Sequence, residues 1–108
     1  MQRLRIYDVA LAMVRDVAAI ARRVERRDRD LARQMRRSST SVALNINEGT
    51  YARGGNKPAR YQTAAAEAAE TAAAIESAAA AGYIPSTGHE RTLDRLDHIT
   101  AVMWKLTH

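Results

Sequence analysis

Apolar side chains recur at three- and four-residue steps along the first part of the chain: Ile6, Val9, Ala10, Met13, Val17, Ile20, Ala21 and Val24. That spacing draws one buried stripe on a helix predicted over residues 4–27, with Arg15, Arg22 and Arg26 on the opposite side. Asp28 is placed to cap a second helix after a tight turn. Over residues 29–52 the pattern turns Leu31, Met35, Ser39, Val42 and Ile46 inward. It leaves Arg33, Arg37, Thr40, Leu44 and Tyr51 on the far side, so Leu44 and Tyr51 form a second apolar patch of the kind an oligomer covers. Glycines at 49, 54 and 55 interrupt the pattern, and Asn56 is the expected cap of a third helix over 57–81, with Pro58 tolerated in its first turn. That helix is alanine on nearly every side, which favours helix formation and close axis approach but supplies little apolar area. Gly82 reads as a helix stop. Tyr83-Ile84-Pro85 then closes one end, and Ser86 or Thr87 is expected to start a fourth helix over 87–106. Its stripe is Leu93, Leu96, Ile99, Val102, Met103 and Leu106. Tyr83 and Trp104 are read as packing residues, with base stacking as the alternative. Four stripes, short connections and no strand pattern predict an all-α fold: one antiparallel up-down four-helix bundle spanning 1–108, assembling into a homo-oligomer.

Charge adds an asymmetry to this picture. The net charge is +5, yet residues 1–53 hold 12 Lys+Arg against 6 Asp+Glu, while residues 54–108 hold 5 against 6. Nearly all the excess is arginine on the first two helices. A polyanionic partner follows as an expectation, nucleic acid ahead of membrane because no hydrophobic insertion face accompanies the arginines. The plainer reading is a solvated, arginine-rich surface. The candidate nucleic-acid contacts are Arg15, Arg22, Arg26, Arg29, Arg33, Arg37, Arg53, Lys57 and Arg60. Cysteine is absent, which removes disulfide and thiolate chemistry and suits a cytoplasmic location. The run from Val9 to Val14 is too short to span a membrane and carries no cleavage pattern, so no signal peptide is read.

Reaction chemistry finds little footing. There is no Glu-x-x-His for a di-iron bundle, and His89 and His98 fall on different helix faces. Asp94 and His98 are four apart, a spacing that also describes an ordinary exposed pair. Glu67 and Glu70 share a side with nothing to divide acid from base. Lys57 does not directly follow a glycine and precedes Pro58, so no phosphate-binding loop is read across 49–57. Ser38, Ser39 and Ser41 have no base placed by sequence. No enzyme, metal or cofactor is expected.

The segment from Arg36 to Gly49 is unusual for a helix, with Ser38, Ser39, Thr40, Ser41, Asn45 and Asn47 where helices prefer Ala, Leu or Glu. Such a helix is held by specific contacts. Ser41, Asn45-Ile46, Glu48-Gly49 and the later Gly82-Tyr83-Ile84 resemble the signature of the bacterial four-helix-bundle proteins encoded in 23S rRNA intervening sequences. That family includes the accessory variability determinant of diversity-generating retroelements. The resemblance runs from Ile6 to Leu106, with Ala64, Ala69, Glu70, Ile75 and Ala78 also matching. It departs at Ala43, where the family often has Pro, and at Leu44, Asn47 and Ala72. It implies a basic homopentamer. Asn45 and Glu48 are candidates for bridging subunits beside Leu44 and Tyr51, for holding a bound strand, or for completing the end of their own helix and the loop that follows. Two functions follow as expectations: a non-catalytic oligomer binding RNA, DNA or a hybrid through its arginines, or an adaptor that docks onto a reverse transcriptase and helps hold its template RNA.

Overall fold

The computed structural model describes residues 4–108. It contains four helices, α1 (Arg5–Glu25), α2 (Arg29–Tyr51), α3 (Asn56–Ala80) and α4 (Glu90–Thr107), and no strand among the described residues. Each helix packs on its neighbours in chain order, and α1 closes the ring against α4. Successive helices run antiparallel, giving a body 43 Å long and about half as wide.

The inward stripes form the core. Met13, Val17 and Val24 of α1, Met35, Val42 and Ile46 of α2, Ile75 of α3, and Leu96, Ile99 and Met103 of α4 are buried. On α3 the buried positions are mostly alanine (Ala64, Ala68, Ala74 and Ala78), so contact with α2 rests on close approach rather than large side chains. Two features lock that approach. Ser38 Oγ and Thr71 Oγ1 meet at 2.7 Å inside the seam, and the Tyr61 ring lies against Gly49, where a Cβ would come within 2.5 Å of its Cε1. Helix α2 runs without interruption through Ala43.

The turns follow local chemistry. Asp28 caps α2, its carboxylate accepting from the Leu31 amide at 2.9 Å. Gly82, with φ +79°, ends α3: its amide donates to the Ala79 carbonyl and the Tyr83 amide to the Ala78 carbonyl. Four expectations are corrected. Asn56 is the first residue of α3 rather than its cap; the cap position is Gly55, with no side-chain bond. Helix α4 starts at Glu90, not at Ser86 or Thr87, because Gly88 takes φ +95° and breaks the chain's path there. Trp104 is 61% exposed rather than packed, since it follows Met103 and so lies off the buried stripe. Leu106 is 47% exposed, on the last turn of α4, where the bundle ends.

Candidate nucleic-acid interface

The turn at Asp28 folds the end of α1 onto the start of α2. It gathers Arg22, Arg23, Arg26, Arg27, Arg29, Arg33 and Arg36 at one end of the bundle, here called the tip. An open cleft of about 780 Å³ is lined there by Arg26, Arg27, Arg29, Arg33 and Arg36, with Glu25, Asp28 and Asp30 between them. The acids engage only some of the arginines. Arg33 pairs with Asp30 at 2.7 Å and Arg36 with Glu25 at 2.5 Å. Arg27 places its guanidinium carbon 5.6 Å from the centre of the Tyr83 ring. Arg22, Arg23, Arg26 and Arg29 have no ion pair, hydrogen bond or ring contact among the described residues, and all four are exposed. Arg22 and Arg23 also sit in the last turn of α1, where a cation complements the helix dipole.

The structure therefore divides the arginines chosen from sequence. Arg22, Arg26, Arg29 and Arg33 share the tip. Arg15 is exposed further along α1, and Arg53 lies in the loop at the opposite end. Arg37 is held on α3, between Glu67 at 3.1 Å and Glu70. Arg60 pairs with Glu48 at 2.9 Å. Lys57 donates to the Thr50 carbonyl at 3.3 Å and lies 5.6 Å from the centre of the Tyr61 ring. Sequence reasoning missed Arg23, Arg27 and Arg36, whose only signal was proximity to Asp28. It also missed Arg91 and Arg95, which converge with Thr92 on the largely buried Asp16. No local spacing announces contacts that span 76 residues for Thr92 and 79 for Arg95.

The second patch is partly as expected. Leu44 is 61% and Tyr51 52% exposed on the outer face of α2. Glu48 is exposed but engaged by Arg60. Asn45 differs: it is 8% exposed, and its Nδ2 donates to the Ser41 carbonyl at 2.9 Å and to Ser41 Oγ at 3.1 Å. Both bonds stay within α2. At the end of α4, Trp104 stacks on His108 with ring centres 4.3 Å apart. His89 is buried, its Nε2 3.0 Å from the Pro85 carbonyl. No group of three or more metal-ligating side chains occurs among the described residues, and no helix there is long and apolar enough to cross a membrane.

An antiparallel four-helix bundle with an arginine tip, whose large exposed apolar side chains among the described residues lie on α2 and the end of α4, defines the class. The family model described as "23S rRNA-intervening sequence protein" matches residues 2–105, and the chain belongs to that family. Among solved structures, it is similar to a protein of unknown function from the S23 ribosomal protein family of Bacteroides thetaiotaomicron. The TM-score is 0.85 at 20% identity, covering 94% of this chain and 97% of that one. That likeness bears on the fold. No curated protein matches.

Proposed function

We propose that this chain is a non-catalytic, homo-oligomeric protein that binds nucleic acid through the α1–α2 tip with little sequence preference. The observation that carries the reading is the clustering of Arg22, Arg23, Arg26 and Arg29, exposed and unpaired, around the α1–α2 turn, with Arg26 and Arg29 lining the tip cleft. Guanidinium groups match phosphate oxygens in a two-pronged geometry, and these four break no intramolecular pair to do so. Contacts of this kind supply affinity without reading bases. The exposed Leu44 and Tyr51 on α2, with Ala66, Ala69 and Ala73 exposed on α3, provide faces on which copies can pack. Repetition of the tip around an oligomer converts a modest monomer charge into avidity for a long polyanion.

The test is a mobility-shift titration of structured RNA and duplex DNA against wild type and a variant carrying Arg22→Glu, Arg26→Glu and Arg29→Glu. The variant should lose binding by at least about tenfold, with its helical circular dichroism and assembled mass unchanged. Wild-type protein that fails to retard either ligand at low salt would refute the reading.

A further inference from the structure

Tyr83 is fixed by the turn that ends α3, its amide donating to the Ala78 carbonyl at 2.9 Å. Its side chain is half-buried against the core, and the Arg27 guanidinium lies over the ring at 5.6 Å from its centre. Arg27 also lines the tip cleft beside the unpaired Arg26 and Arg29. An anchored aromatic ring, a guanidinium plane and two free cations are thus contiguous. We propose that this juxtaposition makes the tip a site for unpaired nucleotides, in which a base stacks at Arg27–Tyr83 while Arg26 and Arg29 take the flanking phosphates. The proposal rests on the nucleic-acid reading above and adds the class of ligand.

The distances favour it. A separation of 5.6 Å is near the outer limit of a cation–π contact, so the exposed Arg27 is loosely held and can shift aside or accept a base on its own plane. Bases inside a duplex are stacked on each other and present no free face. A duplex also carries about twice the charge per unit length of a single strand, so arginines acting alone favour the duplex. A preference for the single strand comes only from the bases. The exposed stack of Trp104 on His108 lies at the end of α4, at the far end of the bundle, and so serves as a control.

The experiment measures fluorescence anisotropy of a short mixed-sequence strand, and of the same strand annealed to its complement, with the full chain at one ionic strength. The strand is expected to bind about tenfold tighter than the duplex, the order of one stacked base. Tyr83→Leu should erase that advantage without changing the salt dependence, while Tyr83→Phe and Trp104→Leu keep it. Should Tyr83→Leu fail to fold, a single 2-aminopurine in the strand reads stacking on wild-type protein: its emission falls on binding, and an unchanged or rising emission overturns the proposal. A duplex bound as tightly as the strand overturns this inference alone, as does an advantage that survives Tyr83→Leu. If neither ligand binds, the nucleic-acid reading falls with it.

Discussion

Gly49 and Tyr61 show how single residues set the distance between α2 and α3. The Tyr61 ring occupies the place of a Gly49 side chain, so the glycine at this position marks a packing requirement. Gly49→Ala should destabilise the fold by about 1–3 kcal/mol, the usual cost of overpacking, read as a lower urea midpoint. An unchanged midpoint would mean that the ring moves freely. The polar run before it has the same logic. Ser38 meets Thr71, Ser39 and Thr40 donate to the Arg36 carbonyl, and Thr50 donates to the Ile46 carbonyl. The run was legible as a helix held by specific contacts; that the contact is α3 was not, because only the register of α3 on α2 brings Thr71 to Ser38. Asn45 Oδ1 stands out as buried without a hydrogen-bond partner, although the amide nitrogen beside it is well bonded. Trp104 is exposed, not packed, because the helical period puts it one position off the buried stripe.

At the scale of the elements, the four stripes and the stops at Asp28 and Gly82 were visible in the sequence because each has a local cause. The start of α4 was not, since Ser86 and Thr87 are good cap residues and only the backbone at Gly88 disqualifies them. Glu90 takes over there: its carboxylate accepts from the Gly88 amide at 3.0 and 3.2 Å. Bonds from its own amide and from that of Gly88, opposed by slight desolvation and aided by His89, hold its carboxyl below the ordinary value of 4.5. A carboxyl depressed in the fold stabilises it above the unfolded pKa, and that contribution is lost as pH falls through the lower folded value. The first turn of α4 should therefore loosen as acid is added below the ordinary carboxylate range. In Glu90→Gln the acid-dependent part should vanish. Amide exchange at Gly88 and Glu90 across that range checks it; identical profiles for both proteins would contradict it. The carboxylate is fully exposed, so the effect belongs to the turn and not to global stability.

Across the whole molecule, the charge asymmetry between chain halves was legible by counting, and it becomes an asymmetry between the α1–α2 and α3–α4 hairpins. Which arginines remain free was not legible. Arg37 and Arg60 are taken by carboxylates on neighbouring helices, and Arg33 by Asp30 within its own turn. These pairs are exposed and individually weak, yet Arg22, Arg23, Arg26 and Arg29 at the tip have neither an ion pair nor a ring contact. The apolar patch on α2 makes a separate prediction: Leu44→Glu should lower the assembled mass in light scattering while helicity persists. A monomeric wild-type protein at micromolar concentration would remove the basis for that prediction. The central claim is that unpaired tip arginines bind phosphates, and the salt dependence of wild-type binding tests it most directly. Four contacts on a single strand give a fall in log affinity with log salt on the order of 3 for each subunit engaged. A steep slope that flattens in the Arg22→Glu, Arg26→Glu and Arg29→Glu variant is the expected result. Binding that is insensitive to salt, or a slope unchanged by those substitutions, would contradict the account.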